Sequence, residues 1–125
     1  MEVIFMTGLP CHPSAMSLLV ENLELHREDG VRLLGPLSLR LAPGERVGLV
    51  GESGSGKSLL VHALFGTLPK GVVQVGGTIQ AFGSRMDLPG PGRDIIRGAR
   101  LAWVPQDPRQ MVNPLLTVGE NLALL

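Results

Sequence analysis

A glycine-rich loop between two apolar segments constrains this 125-residue chain more than any other feature. Residues 51–58 read Gly-Glu-Ser-Gly-Ser-Gly-Lys-Ser, which fits the pattern Gly-x-x-x-x-Gly-Lys-Ser. The preceding residues 46–50 contain a short continuous apolar run after Arg46, which is typical of a strand covered on both faces. The following residues 59–65 contain no glycine or proline and end at Gly66, which predicts a buried helix with a glycine terminator. The sequence therefore predicts a strand, a loop and a helix in direct succession.

The residue types in this loop suit phosphate binding. Glycines let several backbone N–H groups point inward at phosphate oxygens. Lys57 brings an ammonium to the β and γ phosphates, and Ser58 supplies a hydroxyl to Mg²⁺. The helix that begins here presents the positive end of its dipole to the same anion. A Gly/Ser linker is the alternative, but the flanking strand and helix patterns favour a nucleotide-binding loop.

Strand patterns flank the loop on both sides. Residues 18–26 end in an alternation of apolar and polar side chains, and residues 37–41 alternate strictly, which predicts two antiparallel strands joined by a turn at residues 28–30. Residues 77–83 and 101–104 predict further strands, the second of them buried. Thr117 and Glu120 form the Ser/Thr-x-x-Glu pattern of a capping box, which predicts a helix from about Val118.

Composition excludes several classes of protein. Eleven basic residues balance eleven acidic ones, and no run of Lys and Arg occurs, so we expect no nucleic-acid partner. The single cysteine, Cys11, excludes an internal disulfide. The N-terminus does not resemble a signal peptide, and no stretch reaches the roughly 18 apolar residues of a transmembrane helix. Residues 1–15 are predicted to be a loose extension, with Met1 and Met16 as alternative starts.

Three side chains beyond the loop carry specific expectations. Gln106 follows the predicted strand at residues 101–104, where ligands gather in open α/β sheets, and its carboxamide could bind Mg²⁺ or orient a water. His62 is expected to be a packed core histidine. Trp103 is expected to lie in the core or at the rim of the loop that carries Gln106.

Taken together, these residues resemble the N-terminal half of an ABC transporter ATP-binding subunit. The similar segments are Pro43-Gly44-Glu45, residues 47–58, residues 77–79 and Val104-Pro105-Gln106-Asp107-Pro108. Residues 113–120 together with the loop are similar to the dipeptide, oligopeptide and nickel importer group. The resemblance implies an α/β fold, a P-loop NTPase core of parallel sheet and helices with an antiparallel β flank, truncated before the later half of the domain. Residues 16–125 would be the N-terminal part of that domain.

The resemblance also implies the ligands and the residues that hold them. ATP and Mg²⁺ would be the cofactors, with Ser58 and Gln106 as the residues that bind Mg²⁺. Gln106 would link the nucleotide site to the transmembrane subunit. The residues expected to contact ATP are Gly51, Glu52, Ser53, Gly54, Ser55, Gly56, Lys57, Ser58, Leu59 and Gln106.

The same resemblance implies a setting for the protein. Its partners would be transmembrane permease subunits, a second ATP-binding subunit and, indirectly, an extracytoplasmic solute-binding protein. It would act at the cytoplasmic face of the plasma membrane, coupling ATP hydrolysis to import of a peptide or metal complex.

Two departures from the family pattern limit these expectations. Where the family often places an aromatic residue that stacks on adenine, this chain has His26 and Arg27, whose planar groups could also stack. The family's Leu-Ser-Gly-Gly-Gln signature, Walker B aspartate, catalytic glutamate and switch histidine are absent from residues 1–125. We therefore expect no catalytic residue in this chain and no ATP turnover by it alone. The alternatives are another P-loop NTPase or kinase, or a gene fragment that does not hydrolyse ATP.

Overall fold

Four strands form one antiparallel sheet in the computed structural model of this chain, which describes residues 17–88, 96–97, 100–104, 107 and 112–123. The order across the sheet is β2-β1-β3-β4. The strands are β1 (Leu18–Arg27), β2 (Arg32–Leu41), β3 (Val72–Ala81) and β4 (Ser84–Arg85). Two helices, α1 (Lys57–Phe65) and α2 (Val118–Ala123), complete the described elements. The predicted extension at residues 1–15 lies outside the described residues.

One face of the sheet is apolar and buried, and the other is polar. Val20 in the central strand lies opposite Leu39 of β2 and Ile79 of β3, and its side chain is buried. The neighbouring Glu21 lies opposite Thr78 on the other face, where the Thr78 hydroxyl donates to its carboxylate at 3.4 Å. Such one-sided burial is common in antiparallel sheets. The predicted antiparallel flank is therefore confirmed, and β2 and β3 both begin earlier than their sequence patterns indicated.

A bulge at Asn22 reverses the phase of alternation in β1. The buried side chains of β1 change from Leu18 and Val20 to Leu23 and Leu25, and the register shifts between Val20 and Leu23. Asn22 supplies the extra residue, with a φ of 48°. An extra residue bends the strand and lets both halves of β1 face the same core.

Helix α1 covers the buried face of the sheet. Its first hydrogen bond runs from Leu60 N–H to Gly56 O at 2.9 Å. It ends at Gly66, which has a φ of 58° and donates its N–H to Ala63 O at 2.9 Å. The predicted helix and its glycine terminator are confirmed. The buried side chains of α1 are Leu60, Val61, Ala63, Leu64 and Phe65.

Two segments that were predicted to be buried strands are not strands in the structure. They are residues 46–50, before the phosphate-binding loop, and residues 101–104, before Gln106. Apart from an isolated bridge at Gly48, residues 46–50 make no described pairing, and Val50 is 90% exposed. In residues 101–104, Leu101 is buried and bridges Arg97, but Val104 is 74% exposed. A strand covered on both faces needs neighbouring strands on its edges and helices above and below it. No described strand flanks residues 46–50, so the expectation of a buried strand there is wrong for this chain, and the parallel core is not part of the described sheet.

Candidate functional site

The predicted phosphate-binding loop connects residues 46–50 to the N-terminus of α1. Residues 51–55 are exposed, Gly56 is buried at the helix N-cap, Lys57 and Leu59 are half-buried, and Ser58 is exposed. Nine of the ten predicted ATP-contacting residues therefore lie in one continuous surface segment. The tenth, Gln106, lies outside the described residues.

Gly56 is the point at which the loop contacts the sheet. Its φ is 89°, a left-handed conformation that side chains disfavour. A Cβ at this position would also lie 2.9 Å from Leu34 Cδ1 and 3.3 Å from Leu33 O. Both neighbours belong to β2, so β2 sets the position of the helix N-terminus. Sequence reasoning missed this role of Leu33 and Leu34, because no local pattern indicates a contact between segments more than twenty residues apart.

Lys57 closes the loop on itself. Its Nζ donates to Gly51 O at 2.9 Å, to Glu52 O at 2.6 Å and to Ser55 Oγ at 3.2 Å. A Cβ on Gly51 would lie 2.7 Å from Ser55 Oγ, so the Ser55 hydroxyl would have to turn away from its present position. The ammonium is therefore held within the loop by uncharged oxygens, with no carboxylate among these three partners. A phosphate oxygen can take the place of such an acceptor and form a charge-assisted hydrogen bond.

The two helices begin in different ways. At α2, Thr117 N–H and Thr117 Oγ1 donate to Glu120 Oε2 at 2.8 and 2.7 Å, and Glu120 N–H donates to Thr117 Oγ1 at 3.3 Å. These hydrogen bonds, first that from the Thr117 N–H, lower the pKa of Glu120 below its ordinary value. The predicted capping box is thus confirmed. At α1 the N-cap is Gly56, no side chain caps the helix, and the first turn contains no acidic residue.

This difference fits an anion at the start of α1. The first N–H groups of a helix have no intrahelical acceptor, and the helix dipole makes this end positive. With a glycine cap and Lys57 beside it, the end of α1 combines backbone donors with a positive charge, as a phosphate site requires. The described residues contain no group of three His, Cys, Asp or Glu side chains that could hold a metal. Mg²⁺ at a nucleotide needs few protein ligands because phosphates and water complete its shell, so the exposed Ser58 fits that role.

Comparison with known proteins agrees with this geometry. A protein family described as ABC transporter matches residues 34–123, which include the loop, α1 and the segment around Gln106. The chain belongs to the ABC transporter family. Residues 51–58, which carry the sequence pattern known in this family as the Walker A motif, lie within the matched range and are called the Walker A loop below.

Several relatives in the family carry transport names. The chain is 39% identical over 114 residues to the oligopeptide transport ATP-binding protein of Mycobacterium bovis, covering 86% of this chain and 18% of that protein. It is 36% identical over 118 residues to a probable peptide ABC transporter ATP-binding protein of Sinorhizobium fredii, covering 90% and 35%. It is 36% identical over 122 residues to a glutathione import ATP-binding protein of Shigella flexneri, covering 85% and 19%. The chain thus spans between about a fifth and a third of the length of these relatives.

The end of β1, where ABC proteins often carry an adenine-stacking aromatic, holds two planar side chains that already have partners. His26 Nε2 lies 2.8 Å from Glu24 Oε1. Arg27 forms an ion pair with Asp29 at 2.6 Å, which raises the pKa of Arg27 and lowers that of Asp29, in both cases chiefly through their side-chain hydrogen bond. His26 pairs with Arg32, next to the Leu33 carbonyl that faces Gly56, so the end of β1 lies near the Walker A loop.

The segment that leads to Gln106 packs against the Walker A helix. The Trp103 ring meets the His62 ring edge-on, with centroids 5.1 Å apart, and lies 5.9 Å from Phe65. His62 is half-buried, so it is at the margin of the core and not inside it, contrary to the expectation of a packed core histidine. Trp103 is also half-buried and packs against the core. Among the described residues, no helix has the length and apolar character needed to cross a membrane.

Proposed function

We propose that the complete protein to which this chain corresponds is the ATP-binding subunit of an ABC importer that takes up peptides. The observation that carries the proposal is the Walker A loop, with Lys57 held at its centre and α1 left without a side-chain cap. The names of the relatives support peptides as the transported class, because two of the three cited above are named for peptides and the third for glutathione, itself a small peptide.

The chain's own residues have defined parts in this proposal. The backbone N–H groups at the start of α1 and the Lys57 ammonium hold the nucleotide phosphates, and the absence of side chains at Gly51, Gly54 and Gly56 lets the phosphates approach the backbone there. Bound Mg-ATP would supply the phosphoanhydride whose hydrolysis drives transport. Ser58 would bind Mg²⁺ through its hydroxyl, and Gln106 is proposed as the second protein ligand of the metal. The remaining proposed contacts come from Glu52, Ser53, Ser55 and Leu59.

The proposed assembly has several parts. Transmembrane permease subunits, a second ATP-binding subunit and an extracytoplasmic solute-binding protein are the proposed partners, at the cytoplasmic face of the plasma membrane. Because residues 1–125 include no Walker B or signature motif, we propose that this chain binds Mg-ATP without turning it over. Phosphate release that depends on Lys57 in a steady-state assay would contradict that statement.

Titration calorimetry with Mg-ATP tests the nucleotide site. Wild-type chain should bind, and Lys57→Ala should lose binding, because it removes the only charged donor among residues 51–58. Lys70→Ala is a matched control, since Lys70 is exposed and lies after α1, away from the loop in sequence. Equal affinity of wild type and Lys57→Ala for Mg-ATP would refute the proposed site.

A further inference from the structure

The single tryptophan of the chain is packed against the helix that begins at the phosphate loop. Trp103 contacts both His62 and Phe65, which are three residues apart and therefore lie on one side of α1. The ring planes of His62 and Trp103 are at 80°, an edge-to-face arrangement of the kind that aromatic pairs prefer. The contact is thus directional as well as apolar.

The His62 ring is held from a second side. Its Nδ1 lies 3.2 Å from Thr67 Oγ1, and the backbone N–H of Thr67 donates to His62 O at 2.8 Å. Thr67 follows the Gly66 terminator, so the C-terminal end of α1 supports the ring. Lys57 and His62 lie in the same continuous nine-residue helix, five of whose residues are buried. A change of its orientation at the Lys57 end would therefore also displace the His62 ring at the far end.

Trp103 lies at the point where residues 101–104 pass from the buried core to the surface. Leu101 is 1% exposed and anchors the segment, whereas Val104, directly after Trp103, is 74% exposed. Trp103 therefore lies between an anchored residue and an exposed one.

We propose that His62 is a positioning residue, which through Trp103 couples nucleotide binding at the Walker A loop to the conformation of residues 101–104. The proposal rests on the proposed function, because it requires that Mg-ATP bind at the start of α1. In it, His62 touches neither nucleotide nor metal. It holds the Trp103 ring against the same helix whose first residue is Lys57.

The emission of Trp103 reports on this contact directly, because the chain contains no other tryptophan and no tyrosine. In the full chain, titration with Mg-ATP should change the emission of Trp103 in a saturable way, with a midpoint equal to the calorimetric dissociation constant. Mg²⁺ with AMP, which lacks the β and γ phosphates, should change it little. Calorimetric binding of Mg-ATP without any change in emission would overturn the proposal.

Substitutions at His62 separate positioning from simple packing. His62→Leu keeps an apolar side chain but removes the ring, and should lose more than half of the nucleotide-induced emission change while the dissociation constant stays within about twofold. His62→Phe restores an aromatic edge and should restore the change. Gln80→Leu is the matched control, a polar-to-leucine change on the polar face of β3, and should keep the full change. Full retention of the emission change in His62→Leu would overturn the proposal.

Two further measurements keep the test decisive. If His62→Leu fails to fold, as judged by its thermal transition, His62→Gln replaces it, because glutamine retains a hydrogen-bonding group near Thr67 without a ring. Calorimetry on the same samples separates the two proposals. If the wild-type chain does not bind Mg-ATP, both the proposed nucleotide site and the positioning role of His62 are refuted. If it binds Mg-ATP without a change in Trp103 emission, only the positioning role is refuted.

Discussion

At the scale of single residues, glycines decide where segments can approach one another. Gly77 of β3 has a φ of 84°, and a Cβ on it would lie 2.4 Å from Glu21 O of β1. This approach takes place beside the bulge at Asn22, whose backbone such a Cβ would also meet. Gly83, in the turn between β3 and β4, has a nearly identical φ of 82°, yet a Cβ on it would meet no heavy atom within 4 Å. An alanine at Gly83 would therefore suffer only the strain of the left-handed backbone, whereas an alanine at Gly77 would also clash with β1.

Substitution of these two glycines by alanine gives the first prediction. Gly83→Ala should lower the free energy of unfolding by about 1–2 kcal/mol, the cost of the left-handed conformation. Gly77→Ala should cost about 1–3 kcal/mol more, because the β1 carbonyl must also move. Urea denaturation followed by circular dichroism measures both. Equal losses in the two variants would show that the contact with Glu21 does not contribute.

At the scale of elements, α2 is held by its own polar side chains and not by burial. Helix α2 has no buried residue. Val118, its first residue, is 77% exposed, and Leu115, which precedes it, is 90% exposed. Asn121 closes the segment, because its Oδ1 accepts the Asn113 N–H at 2.8 Å and its Nδ2 donates to Asn113 O at 3.1 Å and to Thr117 O at 3.0 Å. The capping box was evident in the sequence, but the Asn113–Asn121 contact was not, since no local motif marks it.

The pH dependence of α2 follows from Glu120. Hydrogen bonds from Thr117 lower the pKa of Glu120 from its ordinary 4.5, so the carboxylate stabilises the helix fully above pH 4.5, and this stabilisation is lost as pH falls through the lower folded-state pKa. The Cα chemical shifts of residues 118–123 should therefore be helical at pH 6 and move toward random-coil values at more acidic pH. Glu120→Gln should lose this pH response. If the wild-type Cα shifts of residues 118–123 stay helical from pH 6 to pH values well below 4.5, the Glu120 carboxylate does not stabilise α2.

At the scale of the whole molecule, the described structure is an antiparallel sheet with one covering helix, and the segment before the Walker A loop is only partly covered, with Val47 and Leu49 packed against the core. Val47 and Leu49 line a small apolar groove with Leu18, Leu39 and Leu41. Val50, the next residue along, is 90% exposed. Although its sequence is typical of a buried strand, no described strand pairs with this segment beyond the bridge at Gly48, and burial on both faces depends on such neighbours.

A matched pair of valines tests this difference in burial. Val61 is 1% exposed in α1, whereas Val50 is 90% exposed. Val61→Ala should destabilise the chain by about 2 kcal/mol, from two lost methyl groups and the remaining cavity. Val50→Ala should change the free energy of unfolding by less than about 0.5 kcal/mol. Thermal unfolding of both variants gives the comparison, and a large loss in Val50→Ala would show that the Val50 side chain is packed.

The sequence by itself determined the local features of this protein. The alternation over residues 37–41 of β2, the glycine at the end of α1 and the Thr117–Glu120 cap depend on residues close together in the chain, and each has the predicted form. Only the tertiary structure decided the contacts between distant segments. These are the support of Gly56 by Leu34, the bulge beside Gly77, the packing of Trp103 on His62 and the exposure of Val50. An apolar pattern shows that a segment can be buried, but burial itself requires partners that lie elsewhere in the chain.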